Sequence, residues 1–362
     1  MRALVVIAVA ACSSSSPPSP SRSPSPSLSL SPSPSPPPPP ARWLPGDLHV
    51  HCAPPDVDGE VDGTLDDIAA SAAAAKLAFV VVTPHLRPST WADDPHGKAA
   101  AWRDLQARAR ARATRSDVTL IVGLEWTTRA GHFSVWGSDV AAAIDSRDVV
   151  ATARAAGAIV TVNHPFALPT HIPGVAASDF DMSYRVWTDH ARGPITDIAG
   201  AEVWNVPLSL ANVISQPGGA TGEQLAWRAL DARVHATHRP QIAVGGSDDH
   251  HGHALATTWV LAADRRESSI VAAVRAGATC VGGFEGGTLR ARADGGSDAG
   301  IGGAVTGRTV TLTWAGGVAH VFVDGVDRGE HASPFTDDTG GALRTYRLEL
   351  GSSRCGFIYA NL

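Results

Sequence analysis

The stretch Gly46-Asp47-Leu48-His49-Val50-His51 sets two imidazoles one residue apart. In an extended strand alternate side chains share a face, so His49 and His51 point the same way. Paired imidazoles fill an apolar core poorly, but their neutral ring nitrogens are good ligands for a transition metal. An H-x-H pair alone is a weak signal. Its weight comes from His85, Glu125, His164, and Asp248 with His250, each of which follows a short apolar run. Any one of them could be a satisfied loop residue. All of them together, widely spaced and each at the end of such a run, point to one metal site.

These runs are the elements that must carry the ligands. Leu48 to His51, Phe79 to Thr83, Thr119 to Leu124, Ala158 to Val162, Ala201 to Asn205, Gln241 to Gly246 and Ala278 to Val281 read as strands. Phe133 to Trp136 reads as a short strand beside the third. Between them lie helical patterns: from Thr64 to Leu77, Gly97 to Arg115, Asp145 to Ala156, Gly222 to Ala236 and Arg266 to Ala276. Phe166 to Ile198 has little pattern and reads as a loop or lid. Strands alternating with helices imply a parallel sheet under helical cover, and about seven such units can close into a barrel. The ligand-bearing strand ends then meet on one face, where barrel active sites lie. An open doubly wound sheet is the rival, but no G-x-G-x-x-G turn follows the first strand.

Composition narrows the class. The net charge of −6 argues against a nucleic-acid partner, which calls for a basic face. With 44% hydrophobic residues in 362, the chain can bury one large core and a smaller one. Residues 1–12 read as a signal peptide: Met1-Arg2, a short apolar run, then Val9-Ala10-Ala11-Cys12. That end resembles the lipobox of bacterial lipoproteins, with Cys12 as the lipidation site. An ordinary secretory signal is the rival reading. Residues 13–40 are almost wholly Ser and Pro, a composition that cannot fold and that acts as an extended tether. The expected location is extracytoplasmic, on a bacterial membrane through the lipid.

Seven motifs in order carry a family resemblance. They are Asp47-Leu48-His49-Val50-His51, Thr83-Pro84-His85, Gly123-Leu124-Glu125, Gly131-His132, Asn163-His164-Pro165, Glu202-Val203-Trp204-Asn205 and Ser247-Asp248-Asp249-His250. The set resembles the PHP (polymerase and histidinol phosphatase) superfamily of metallohydrolases, in its carbaryl-hydrolase-like branch. The resemblance spans roughly residues 41–284. It implies a distorted (β/α)7 barrel and two or three divalent transition-metal ions. By motif, His49, His51, Glu125 and Asp248 resemble the ligands of one ion. Glu125 would bridge to a second, completed by His132 and His164, and His85 and His250 resemble ligands of a third. Glu125, His132 and Asp248 are the expected catalytic residues. The family often adds a ligand shortly after H-x-H, a place for which Asp56, Asp58 and Asp62 compete. The second motif normally reads T-D-H, so Pro84 removes an acidic group beside His85.

Mixed His and carboxylate ligands suit zinc, manganese or iron better than calcium or magnesium. Two such ions ~3.5–4 Å apart can share a hydroxide that attacks a phosphorus or carbonyl centre. Their charge exceeds that of Glu125 and Asp248, which favours an anionic small-molecule ester and hence a phosphoesterase. A carboxylester or carbamate hydrolase on the same centre is the alternative, as is a non-catalytic metal- or ligand-binding surface lipoprotein. Arg87 and Asn205 are candidate substrate contacts, Arg87 by bidentate pairing with phosphate.

Residues 285–362 differ. Period-two runs at Thr309 to Trp314, Ala319 to Asp324 and Thr345 to Leu350 predict a small β-sandwich, with Asp324-Gly325 as a hairpin turn. His320 and His331 read as surface groups. Cys280 and Cys355 could bridge the two folded parts, but spacing does not establish pairing, and both are taken as free.

Overall fold

The computed structural model describes residues 40–113, 117–128, 131–165, 198–206, 221–283 and 288–362. The lead with Cys12, nearly all of the expected loop or lid, and the junction near residue 285 lie outside them. The chain begins with β1 (Arg42–Val50), α1 (Leu65–Ala74), β2 (Phe79–Val82), β3 (His85–Leu86), α2 (Pro88–Asp93) and α3 (Pro95–Ala113). Next come β4 (Thr119–Val122), β5 (Leu124–Thr128), β6 (Gly131–Trp136), α4 (Val140–Ile144), α5 (Val149–Ala155), β7 (Ile159–Val162) and β8 (Gly200–Asn205). Then follow α6 (Gly222–Thr237), β9 (Ile242–Gly246), β10 (Thr258–Ala262), α7 (Glu267–Arg275) and β11 (Thr279–Gly282). The tail is all strand: β12 (Leu289–Ala293), β13 (Asp298–Gly300), β14 (Ala304–Val305), β15 (Thr309–Trp314), β16 (Ala319–Val323), β17 (Val326–His331), β18 (Phe335–Asp338), β19 (Arg344–Leu350) and β20 (Ser353–Ala360). The fold is mixed α/β with several sheets.

Local chemistry accounts for the main elements. β2 is an unbroken Phe-Val-Val-Val run, buried throughout, as a strand covered on both faces must be. α1 starts with a capping box between Thr64 and Asp67, and α6 with one between Thr221 and Gln224. The helix expected over Asp145 to Ala156 is instead two short helices. Asp145 ends α4, and Asp148 starts α5 by accepting from the Ala151 N–H. Residues 119–124 are likewise not one strand. A Cβ at Gly123 would stand 2.8 Å from Trp136 Cβ and Val135 O, so the chain breaks there and resumes as β5.

One sheet runs β17-β16-β19-β20-β11-β10-β1-β2-β4, and a second runs β3-β5-β6-β7-β8-β9. β1, β2 and β4 are parallel, as are β7, β8 and β9, whereas β6 is antiparallel to both neighbours. The two sheets meet on either side of the ligand-bearing ends. Glu125 N donates to Pro84 O at 3.0 Å where β2 and β4 run on into β3 and β5. His51 N donates to Asp249 O, and Asp248 N to His49 O, each at 2.8 Å, which joins the end of β9 to β1. β10 breaks the strand–helix alternation, because it pairs antiparallel with both β1 and β11.

In the tail, β13-β12-β15-β18 form a separate sheet. Its inner residues Leu289, Val310 and Leu312 share an apolar cluster with Val321, Val323, Tyr346 and Ile358 of the first sheet. Asp324 and Gly325, both at positive φ, make the β16–β17 turn expected of them. Cys280 and Cys355 are cross-strand partners in β11 and β20 and form a disulfide, so the expectation of two free thiols is corrected. The antiparallel register of these two strands sets them opposite one another, and spacing along the chain does not reveal that register. No described helix is long and apolar enough to cross a membrane.

Candidate metal centre

β1 delivers His49 and His51 from one face, both buried. Their Nε2 atoms stand 3.1 Å apart. Asp248 Oδ1 lies 3.0 Å from His51 Nε2 and 3.3 Å from His49 Nε2, and Glu125 Oε1 is 3.3 Å from His49 Nε2. Lone-pair atoms from three segments of the chain therefore converge on one small volume. Asp248 reaches it from a turn at φ +55°, a region non-glycine residues rarely occupy, and such strain gathers at functional sites.

Glu125 is the hub. It sits within β5 rather than at the end of a strand, beside His85 in the parallel register. Its Oε1 accepts from Asn163 Nδ2 at 2.8 Å and faces His132 Nδ1 at 3.4 Å and His164 Nε2 at 3.7 Å. Its Oε2 accepts from Thr127 Oγ1 at 3.0 Å and faces His85 Nε2 at 3.2 Å. The two oxygens thus address different sets of imidazoles, as a carboxylate shared between two cations would.

A third group lies alongside. The rings of His51 and His85 stack at 3.9 Å between centroids, and those of His51 and His250 at 4.3 Å. Asp56, in the loop after β1, is buried with Oδ2 2.8 Å from His85 Nδ1, and Asp58 stands 3.6 Å from the same nitrogen. His85 follows Pro84 and not an acidic residue, and its carboxylate neighbours come from the loop after β1. Asp62 is turned away, with Oδ1 2.7 Å from exposed His251.

The electrostatics reflect this crowding. Burial opposes the charge on Glu125, yet His132, His164 and His49 hold its carboxyl well below the usual range. Burial likewise opposes Asp248, and His49, His51 and His164 override it. Burial works against protonated His49 as well, but Asp248, Glu202 and Glu125 push its pKa well above the ordinary value. His250 goes the other way, to about 4, through burial and the like charge of His51 and His85. Among the described residues, four triads have ligand atoms within 4.8 Å of one another: His51, His85, His250; His49, His51, Glu125; Glu125, His132, His164; and Asp56, Asp58, His85. His51 Nδ1 is buried with no hydrogen-bond partner, 3.5 Å from Asp56 Oδ2. Facing Nε2 atoms, an unpartnered ring nitrogen and interleaved carboxylates fit cations better than they fit a self-contained hydrogen-bond network.

All eight expected metal ligands, His49, His51, His85, Glu125, His132, His164, Asp248 and His250, come together here. The two candidate substrate contacts differ. Arg87, half exposed, forks onto Asp58 at 2.6 and 3.3 Å. Asn205 is buried and donates through Nδ2 to Glu202 Oε2 and Asp248 Oδ2, each at 3.1 Å. Cys52 is a packed thiol with its pKa pushed up to about 12 by burial, away from the ligand atoms. Sequence reasoning assigned no role to Asn163, Glu202 or Asp47. Each lies inside a quoted motif; Asn163 and Asp47 stand next to or near a ligand, which was the available signal, whereas Glu202 shares its motif with Asn205 and no ligand. Buried Asp47 holds the ligand loop by accepting from Ser247 N at 3.0 Å and Leu255 N at 2.8 Å.

The chain is similar in structure to a two-domain protein from Bacteroides vulgatus containing a predicted PHP-like metal-dependent phosphoesterase. Identity is 17%, the TM-score is 0.44, and the match covers 86% of this chain and 91% of that one. A second solved structure, from Bifidobacterium adolescentis and predicted to be a metal-dependent phosphoesterase, matches at 13% identity with a TM-score of 0.32. It covers 59% of this chain and 90% of its own. No family model and no curated protein matches the chain.

Proposed function

We propose that the chain is a metal-dependent hydrolase of the PHP type, most specifically a phosphoesterase with a multinuclear centre. The observation that carries this reading is the convergence of His49, His132 and His164 on Glu125 Oε1, with Asp248 shared between His49 and His51 beside them. In this reading β1, β2–β3, β4–β5, β6, β7, β8 and β9 form the distorted barrel, supported by the hydrogen bonds between β9 and β1. His49, His51, Glu125 and Asp248 would hold one ion, and Glu125, His132 and His164 a second. His85 and His250, with Asp56, would hold a third. Such ions, zinc, manganese or iron, supply Lewis acidity and a water that loses its proton near neutral pH. The chain's own part is to fix spacing and charge. Glu125 Oε1 stands between His49 and the His132–His164 pair while Oε2 faces His85, and Asn163 and Thr127 hold the two oxygens by hydrogen bonds. Three divalent ions against Glu125, Asp248, Asp56 and Glu202 would leave net positive charge, which favours an anionic ester over a neutral one.

Protein purified without chelator should carry at least two transition ions per chain and cleave a chromogenic phosphodiester faster than a carboxylester. Less than one ion per chain would end this reading, and the reverse ester preference would move it to the carboxylester class. Metal must compete with protons on these nitrogens, whose pKa values are raised at His49, His85 and His164. Occupancy should therefore fall as pH drops and should begin to do so above the ordinary histidine value of about 6.5.

We also propose that Cys12 is lipidated and that the Ser/Pro stretch tethers this domain outside the cytoplasm. The Cys280–Cys355 disulfide supports an oxidising compartment. Cys12→Ser should move the protein from the membrane fraction to the soluble one, and unchanged membrane association would exclude the lipid.

A further inference from the structure

Glu202 is not among the expected metal ligands and belongs to no ligand triad, yet it contacts three residues of the centre. Its Oε1 accepts from His49 Nδ1 at 3.2 Å. Its Oε2 accepts from the backbone N–H of His164 at 2.8 Å and from Asn205 Nδ2 at 3.1 Å. The same Asn205 amide donates its other proton to Asp248 Oδ2 at 3.1 Å. One pair of side chains on β8 thus reaches ligands carried by three other segments. Two of those ligands sit on strained backbone, His164 at φ +32° and Asp248 at φ +55°. Such conformations persist only where surrounding contacts over-determine them. The space for the Glu202–His49 contact is also reserved. A Cβ on Gly246 of neighbouring β9 would lie 2.3 Å from both Glu202 Oε1 and His49 Cβ.

We propose that Glu202 is the positioning residue of the centre. It fixes His49 in the Nδ1–H tautomer, and with Asn205 it holds the turns of His164 and Asp248 in their strained form. The idea rests on the metal-centre reading, because a fixed tautomer matters only if Nε2 must stay unprotonated for a ligand. A carboxylate on the far nitrogen of a metal-binding histidine orients the ring and raises its basicity, and losing it typically costs about 10–100-fold in metal affinity.

The test uses the full chain with labelled histidine nitrogen, stripped of metal, and then titrated with zinc against a competing chelator. In wild type, read at a pH above the raised value of His49 so that the ring is neutral, His49 should show a protonated Nδ1 and a bare Nε2. Glu202→Gln should lose that signature and bind zinc about 10–100-fold more weakly. Asn205→Ala should keep the tautomer, because Glu202 is still present, while losing less affinity. An unchanged tautomer and affinity in Glu202→Gln would overturn the proposal. So would loss of the tautomer in Asn205→Ala, which would mean general loosening rather than a specific contact. Should Glu202→Gln not fold, Glu202→Asp carries the same test, since withdrawing the carboxylate by one methylene also breaks the Nδ1 contact. The tautomer is read without metal, so it remains informative even if wild type binds no zinc, an outcome that would count against the metal-centre reading alone.

Discussion

Glu125→Gln should lower turnover of a phosphodiester by about two to three orders of magnitude, roughly 3–4 kcal/mol in the barrier. The substitution keeps the shape of the side chain and removes its charge. Oε1 and Oε2 now face separate imidazole sets, and an amide cannot serve both as an anion. The spacing between the two sets loses its tie, and one cation loses a ligand. Stability should change little. Glu125, though buried within β5, faces imidazoles and not apolar side chains, and Asn163 and Thr127 can still hydrogen-bond an amide. The measurements are steady-state kinetics, metal content and a thermal melt on the same preparation. Turnover equal to wild type would show that the chemistry happens elsewhere.

Loss of the disulfide is the largest expected effect on stability. Cys280 and Cys355 are 75 residues apart in sequence, and closing a loop of that length restricts the unfolded chain by about 4 kcal/mol. The bond also ties β20 to β11, and through β10 to β1, the strand that bears His49 and His51. Cys280→Ser with Cys355→Ser should therefore unfold at markedly lower denaturant concentration than wild type. A thiol probe added to unfolded, unreduced protein should label Cys52 and neither of these two, whatever the state of Cys12. Equal midpoints, or labelling of Cys280 and Cys355, would exclude a stabilising bond.

The clustering of these histidines and carboxylates was legible in the sequence for a physical reason. Ligands at strand ends interrupt apolar runs, and a two-residue period places His49 and His51 on one face without further information. Asp56 was harder, because it shares a loop with Asp58 and Asp62 and only the folded loop shows which one turns inward. Glu202 was hidden because a glutamate in a short strand looks like a solvent-facing one until its neighbours are known. The strand β10 was missed for a related reason. Thr258 to Ala262 is short, follows a polar loop and pairs against the direction that strand–helix alternation implies. Tail strands such as Thr309 to Trp314 alternate plainly, with every second residue buried, and were readable on that ground. Disulfide pairing depends on register across β11 and β20, which no local pattern reports.

The position of β1 has a consequence for the order in which the molecule can be assembled. It is the first strand made, yet one of its partners, β10, is synthesised some two hundred residues later. Its histidines likewise wait for Asp248 and His250 before their cluster is complete. A growing chain can therefore pair β1 with β2 early, but it cannot close the ligand set until most of the protein has emerged. Any ion captured before that point would meet a partial set of nitrogens and bind weakly. Completion of the ligand set is thus a late event, and so is formation of the Cys280–Cys355 disulfide, which awaits the last of the described strands and an oxidant from the surrounding compartment.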